Sequence, residues 1–366
     1  MSRLVIAGGG TGGHLFPGLA VAAELTRAGA VVSWLGARRG LEATRVPKAG
    51  IPLRLLSVTG AAARSPGARV AAAFRVPPAT AQAAAHLLHD RTDAVLAVGG
   101  YASLPGALAA GVLGVPTVLQ EQNALPGFSN RLLAPWSATV ACGFEVAVSA
   151  FPSLPARWTG NPVRPEFFSV PPPPLDLVTV LVFGGSQGSA FLNALLPAAL
   201  GEFARATPPP RVIHQCGGGR EAEVRQRYAA VGVDAEIVPF LDRPADALAR
   251  AALVVARAGA LTVSELAAAR RPALLVPFAA AAGGHQLANA RAFAATGAAE
   301  VLEEHQATPA LTAAVLARLL ASPAGLAERG RAAARLANPD AARVVARIVL
   351  EAARAQVGAS AHRGDA

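Results

Sequence analysis

Two glycine-rich runs carry the first chemical signal. Leu4–Ala7 leads into Gly8-Gly9-Gly10-Thr11-Gly12-Gly13, and Val180–Phe183 leads into Gly184-Gly185-Ser186-Gln187-Gly188. Each reads as a buried strand that turns sharply into a helix. Glycine accepts the positive φ of such a turn and lets a ligand approach the backbone. The N–H groups that open the following helix attract an anion. The first turn satisfies G-x-G-x-x-G through Gly8, Gly10 and Gly13, which alone is weak evidence. A nicotinamide dinucleotide would call for an acid at the end of the second strand. That strand ends Leu35-Gly36-Ala37-Arg38-Arg39, so such a cofactor would have to be the 2′-phosphorylated form, met by an arginine. A P-loop is excluded, because neither turn has the Gly-Lys-Ser/Thr it needs.

Other chemistries are bounded by composition. The two cysteines, Cys142 and Cys216, are far apart and exclude a disulfide scaffold or a cysteine-based metal site. They fit a reducing cytosol. No D-x-D acidic cluster is present to hold a divalent ion, and no metal site is expected. With 53% hydrophobic and 15% charged residues, disorder is excluded. The net charge of +10 is uneven: residues 1–160 hold 13 basic and 6 acidic groups. No acid lies between Glu42 and Asp90, an interval with Arg45, Lys48, Arg54, Arg64, Arg69 and Arg75. It reads either as a solvated basic face or as a contact with an anionic surface. The apolar, proline-broken stretch Val70–Pro78, with Phe74, lies in the same window and favours lipid. Few aromatics and no recognisable module speak against nucleic acid.

The elements that must hold these turns follow from the apolar pattern. Strands are expected at Leu4–Ala7, Val31–Leu35, Leu53–Val58, Ala94–Val98, Thr117–Gln120 and Thr139–Ala141. A second series covers Val178–Phe183, Arg211–Gln215, Glu236–Pro239, Leu253–Ala256 and Ala273–Val276. Helical patterns separate them, for example Gly18–Arg27 and Arg69–His89. Strands apolar throughout, alternating with helices, imply an α/β fold with parallel sheets covered on both faces. The charge-free run between Asp93 and Glu121 is broken by Gly99, Gly100, Pro105 and Pro116. It reads as strand, loop, helix, strand rather than a membrane span. At 366 residues two domains are expected, and the proline-rich segment Asn161–Leu175 has linker composition. The alanine-rich stretch Thr308–Ala355 reads as helices, and residues after Gln356 as a frayed tail.

Seven motifs occur in order: GGGTGGHLFPGLAVA (Gly8–Ala22), VPKAGIP (Val46–Pro52), GGYASLPG (Gly99–Gly106), EQNALPG (Glu121–Gly127), GNPVR (Gly160–Arg164), GGSQG (Gly184–Gly188) and GALTVSELAAA (Gly259–Ala269). Together they resemble the MurG family, the UDP-N-acetylglucosamine–N-acetylmuramyl-(pentapeptide) pyrophosphoryl-undecaprenol N-acetylglucosamine transferases, over about residues 1–350. The resemblance implies the GT-B architecture, two Rossmann-like domains with parallel sheets facing across a cleft. Residues 1–160 would form the acceptor and membrane side, 161–340 would bind UDP-GlcNAc, and 341–366 would be a helix crossing back to the first domain, then a tail. The implied reaction is inverting transfer of GlcNAc from UDP-GlcNAc to the muramyl 4-hydroxyl of lipid I, giving lipid II for peptidoglycan. No cofactor is implied. The protein would sit peripherally on the cytoplasmic face of the membrane, with cell-wall or division machinery as candidate partners.

The same resemblance distributes roles, each with a plainer alternative. His14 is a general base or diphosphate neighbour, or else stabilises its turn. Glu121 is the alternative base, or a structural carboxylate. Asn123 contacts the donor sugar, or serves turn chemistry in Asn-Ala-Leu-Pro-Gly. Tyr101 meets the acceptor, or packs. Thr11, Gly12 and Gly13 approach the donor from the first turn. Ala260, Leu261, Thr262, Val263 and Ser264 open a helix toward the diphosphate, and Glu265 bonds the ribose. Arg164 and Ser186 lie on the nucleotide side, the Leu241 backbone reads uracil, and Gln286 binds the sugar. Arg257 is diphosphate-facing or structural. Arg64, Arg69, Phe74 and Arg75 form the membrane patch. The loop Ala279–Gly284 departs from the family, which often carries acids there, and Asp242-Arg243-Pro244 is atypical. Two other classes stay open: a non-hydrolysing UDP-GlcNAc 2-epimerase, and a non-catalytic nucleotide-sugar-binding subunit.

Overall fold

The computed structural model describes residues 1–38, 40–58, 66–100, 102–174, 178–185 and 187–364, with side chains at all of these except 66–73, 282 and 357–364. Tyr101, Ser186 and Arg64 lie outside the described residues, and of Arg69 only the backbone is described. The chain divides into two compact units, Met1–Arg164 with Asn338–Ala366, and Pro165–Ala337.

The first unit contains β1 (Arg3–Gly8), α1 (Gly12–Arg27), β2 (Val31–Ala37), α2 (Glu42–Lys48), β3 (Leu53–Leu56), α3 (Pro66–His89), β4 (Ala94–Gly99), α4 (Ser103–Val112), β5 (Thr117–Glu121), α5 (Phe128–Leu133), β6 (Thr139–Cys142) and β7 (Ala156–Trp158). Its seven-stranded sheet has the order β3-β2-β1-β4-β5-β6-β7. The second unit contains β8 (Thr179–Phe183), α6 (Ala190–Ala204), β9 (Arg211–Gln215), α7 (Glu221–Ala230), β10 (Ala235–Val238), α8 (Pro244–Arg250), β11 (Leu253–Ala256), α9 (Ala260–Ala268), β12 (Ala273–Leu275), α10 (His285–Ala294), β13 (Ala299–Val301), α11 (Pro309–Leu320) and α12 (Pro323–Ala333). Its six-stranded sheet runs β10-β9-β8-β11-β12-β13. The last helix, α13 (Ala341–Gly364), belongs to the first unit.

The pairings are parallel, as uniformly apolar strands flanked by helices require; Arg3 pairs with Val31 and Leu4 with Ala94, and Val180 pairs with Val212 and Leu253. Successive side chains of β1 serve opposite faces. Leu4 and Ile6 join one core, while Val5 and Ala7 join another. The core of Leu4 and Ile6 is completed by Val345, Val349 and Ala353, one i, i+4, i+8 stripe of α13. Asn338 Nδ2 donates to the Thr159 carbonyl at 2.8 Å, and Gln356 Nε2 to that of Gly114 at 2.9 Å.

Several boundaries differ from expectation. α1 starts at Gly12, six residues earlier than periodicity indicates, because Gly12, Gly13 and Gly18 hide its first turns. The edge strands β7 and β13 have three residues each, too few for an alternating pattern to register. Residues past Gln356 continue as helix to Gly364 rather than fraying. The proline-rich segment is pinned to the second unit. Fully buried Arg271 donates to the carbonyls of Leu248 (2.7 Å), Ala269 (2.9 Å) and Pro171 (2.6 Å), and Arg270 reaches that of Val170 at 3.0 Å. Burial, with Arg270 beside it, pulls the Arg271 pKa down to about 10.

Candidate active site

In the first unit the strand order reverses between β1 and β4, and such a switch point opens a crevice at the C-terminal ends of the strands. The Gly8–Gly13 turn, the Gly99–Gly100 turn and the segment after β5 meet there. Gly9 N donates to the Gly99 carbonyl at 3.2 Å. Gly100 has φ +82°, and a Cβ on it would lie 2.0 Å from the Gly9 oxygen, so only glycine fits.

A carboxylate that sequence reading did not single out organises the first turn. Glu42, on α2, is fully buried; Gly10 N donates to its Oε2 at 2.8 Å and Ala37 N to its Oε1 at 3.1 Å. Gly9, Gly36 and Gly40 make room for it, since a Cβ on any of them would come within 2.8 Å of its side chain. The Gly10 N–H that would grip a pyrophosphate is therefore already bonded to an internal acid. This removes the dinucleotide reading of the G-x-G-x-x-G turn.

His14 sits in the first turn of α1, which begins beyond the exposed cap residue Thr11 and includes Gly12 and Gly13. Its Nδ1 lies 3.2 Å from Gln122 Oε1. Its ring rests against Gly99, where a Cβ would lie 2.7 Å from Nδ1. Gln122 Nε2 donates to the Val98 carbonyl at 2.8 Å, and the Gln122 carbonyl accepts from Asn161 Nδ2 at 2.8 Å. The Arg164 guanidinium lies over the Phe16 ring, 5.5 Å from its centroid, which places it beside α1.

Glu121 is 1% exposed and both its oxygens are occupied. Oε1 accepts from Asn123 N (2.8 Å) and Asn123 Nδ2 (3.1 Å); Oε2 accepts from Gly127 N (2.9 Å) and Asn130 Nδ2 (2.9 Å). The base role expected of it as an alternative does not fit this geometry, because a carboxylate saturated by four donors inside its own turn has no lone pair to turn toward a hydroxyl. Asn123 is half-buried and serves the same turn. Burial, and then the Glu121 charge, push the Cys142 thiol up to about 12, so it is no nucleophile.

In the second unit the switch point lies between β8 and β11. One shallow recess brings together Leu241, Thr262 and Glu265, with Leu181, Phe183, Pro244, Leu248 and Leu266. Three of the expected donor residues thus share one wall. α9 begins after Gly259 with no acid in its first turn, so its N–H groups keep their partial positive charge for an anion. Ala260 and Leu261 are in that turn. Val263 and Ser264 are there too, but their side chains are buried, and Ser264 Oγ donates back to the Ala260 carbonyl at 2.8 Å. Val263 N already donates to the Gly259 carbonyl at 2.9 Å, so an anion would meet the N–H groups ahead of it, at the very start of α9.

Gln286 also holds backbone through its side-chain oxygen. Its Oε1 accepts from Ala258 N at 3.2 Å and Phe278 N at 2.9 Å, while Asn289 Nδ2, one turn along α10, donates to the Ala258 carbonyl at 3.1 Å. The pair staples the turn ahead of α9. Arg257 is structural. It pairs with Glu304 at 2.5 Å, donates to Ser189 Oγ at 3.1 Å and to the Val276 carbonyl at 3.0 Å, and stacks between Phe191 and Phe278. Behind the second glycine turn, His214 Nδ1 meets Tyr228 Oη at 2.9 Å and Nε2 meets Asn193 Oδ1 at 3.0 Å. Burial lowers the His214 pKa to about 3. Only the i, i+3 spacing of Gln286 and Asn289 could have flagged any of these helpers from sequence.

Among the described residues no group of three or more His, Cys, Asp or Glu side chains could hold a metal, and no single helix is long and apolar enough to cross a membrane. On α3, Phe74 is 78% exposed and Arg75 is exposed.

Comparison with known proteins covers both units. Residues 4–142 match the glycosyltransferase family 28 N-terminal domain, and residues 179–345 its C-terminal domain. A relative from Stutzerimonas stutzeri (strain A1501) is 43% identical over 357 residues, covering 96% of this chain and 99% of its own length. It is named a UDP-N-acetylglucosamine–N-acetylmuramyl-(pentapeptide) pyrophosphoryl-undecaprenol N-acetylglucosamine transferase. The crystal structure of MurG from Acinetobacter baumannii superposes with a TM-score of 0.80 at 32% identity, covering 96% of this chain and all of that one. UDP-GlcNAc 2-epimerase from Neisseria meningitidis, at 12% identity and a TM-score of 0.69, shares the fold alone.

Proposed function

We infer the reaction from one premise: the chain belongs to glycosyltransferase family 28, and within it to the N-acetylmuramyl-(pentapeptide) pyrophosphoryl-undecaprenol N-acetylglucosamine transferases. It transfers GlcNAc from UDP-GlcNAc to the muramyl 4-hydroxyl of lipid I, with inversion, and makes lipid II for peptidoglycan. The observation that carries this is 43% identity over 96% of the chain, spanning both units.

The chain's own residues support a division of labour. A single displacement needs a base for the acceptor hydroxyl and stabilisation of the departing diphosphate. His14 is our choice of base, since Glu121 is saturated. The α9 N-terminus takes the diphosphate, and Glu265 and Leu241 in the recess take ribose and uracil. The acceptor's polyprenyl tail keeps it in the bilayer, so we propose that the protein docks peripherally on the cytoplasmic face. The acid-free interval from Glu42 to Asp90 and exposed Phe74 support this, with Val112, Phe128 and Trp136 as further exposed apolar groups of the same unit. Supplying lipid II would tie the protein to cell-wall growth, cell shape and division.

The test is incubation with labelled UDP-GlcNAc and a lipid I analogue, with and without EDTA, followed by product identification. A β-linked GlcNAc–MurNAc product in both arms is expected. Free GlcNAc or ManNAc formed without acceptor would overturn the assignment, and loss of product in EDTA would overturn the metal-independent account.

A further inference from the structure

Gln122 is buried, bears no charge and lies between two residues with assigned candidate roles, Glu121 and Asn123. Its side-chain oxygen nevertheless meets the His14 imidazole, 3.2 Å from Nδ1. Its orientation is forced. The Val98 carbonyl can only accept a hydrogen bond, and it lies 2.8 Å from Gln122 Nε2, so the NH₂ end of the amide must face Val98. The oxygen end must then face the imidazole. A second contact, Nε2 to Gln120 Oε1 at 3.3 Å, agrees with this order. The backbone is fixed as well, because Asn161 Nδ2 donates to the Gln122 carbonyl at 2.8 Å. With 3% exposure, the amide has no room to turn over.

An oxygen acceptor beside Nδ1 leaves neutral imidazole one choice. The proton stays on Nδ1, and the basic lone pair stays on Nε2. Free histidine prefers the opposite tautomer, with the proton on Nε2. We propose that Gln122 is a positioning residue for the transfer reaction: its side-chain oxygen holds His14 in the Nδ1–H tautomer, so that Nε2 is the atom that receives the acceptor's proton. In this site the uncharged amide takes the place that a carboxylate has beside many catalytic histidines. An amide orients the ring without placing a negative charge beside it. The proton moves from the acceptor hydroxyl to Nε2 as the new glycosidic bond forms and the bond to UDP breaks.

This rests on His14 being the base, and the experiment separates the two claims. Full-length wild type, Gln122→Leu, Gln122→Glu and His14→Ala are compared by steady-state kinetics with UDP-GlcNAc and a lipid I analogue, and by 15N spectra of histidine-labelled protein. His14 is assigned by difference from His14→Ala. Wild type should show the proton on Nδ1. Gln122→Leu should move the neutral ring toward Nε2–H and lower kcat about 10- to 100-fold, with the UDP-GlcNAc KM within twofold, since general-base catalysis supplies about 10²–10⁴ in all. Gln122→Glu is the conservative rescue. Protonated against the Val98 carbonyl, its carboxyl keeps the donor–acceptor order of the amide and should restore both tautomer and most of kcat. Two results would overturn the proposal: an Nε2–H ring in wild type, or a Gln122→Leu enzyme that keeps wild-type kcat while His14→Ala is inactive. If Gln122→Leu does not fold, the wild-type and Gln122→Glu spectra still decide. If His14→Ala itself keeps its kcat, the base assignment fails instead.

Discussion

Glu121 and His14 divide at the level of single atoms. Four donors converge on the Glu121 carboxylate, and a hydrogen bond to a charged group contributes about 1.5–3 kcal/mol. Glu121→Ala should therefore lower the unfolding free energy by about 3 kcal/mol, as read by urea titration. His14→Ala should leave stability nearly unchanged while lowering kcat about 10²–10⁴-fold. The reverse pattern would return the base role to the carboxylate. His214 gives a pH signature. Its pKa in the folded protein is about 3, while the unfolded chain binds that proton near pH 6.5. The unfolded state thus binds more protons in this window, so the stability due to the neutral ring is complete above pH 6.5 and drains away as pH falls toward 3. Between pH 7 and pH 4, wild type should lose more stability than His214→Gln, which can still bond Tyr228 and Asn193. Parallel urea curves for the two proteins would count against this account.

At the level of elements, glycine turns bring distant side chains together. Gly99 has φ +88°, and a methyl there would occupy the place of the His14 ring. Gly99→Ala should therefore displace the imidazole and lower kcat about 10²-fold, since a misplacement of about 1 Å can cost that much. UDP binding, measured by calorimetry, should hold, because the recess proposed for the nucleotide belongs to the other unit. The same turns explain what could be read in advance. Strands such as Leu4–Ala7 and Val180–Phe183 announce themselves by unbroken apolar composition, and the turns by glycine spacing, so fold class and family were legible. Glu42, Gln122 and Asn289 were not. Each acts on a backbone group brought near by sheet register or helix packing, and nothing local marks an acid or amide that will do so. Glu121 and Gln286 were noticed for the right location, but their oxygens turn inward to hold backbone, which only the tertiary arrangement decides.

For the molecule as a whole, the first unit is discontinuous in sequence, and α13 closes it. Val345, Ile348 and Val349 are buried in its core, and each such side chain contributes about 1.5–3 kcal/mol. Removing them approaches the roughly 5–15 kcal/mol that holds a whole domain together. A chain ending at Ala337 should keep a protected second unit that still binds UDP, while the first unit exchanges its amide hydrogens freely. Protection of both units would refute the closing role. Surface charge is the other global property. Changing Arg64, Arg69 and Arg75 together to glutamate should abolish sedimentation with anionic vesicles at low salt, given about 1 kcal/mol per basic group near such a surface. UDP binding should be unaffected. Unchanged vesicle binding would move the docking face elsewhere.

The position of α13 also sets an order of assembly during translation. A ribosome releases about 5–20 residues per second, and domains generally fold as units when their residues are out. Residues 165–337 emerge complete before any of α13, so the second unit can fold while the first still lacks Val345, Val349 and Ala353 on the face shared by Leu4 and Ile6. The half synthesised first is thus finished last, and until then it shows chaperones an open apolar face. Nascent chains arrested just short of Asn338 should give a protease-resistant second unit and a cleavable first one.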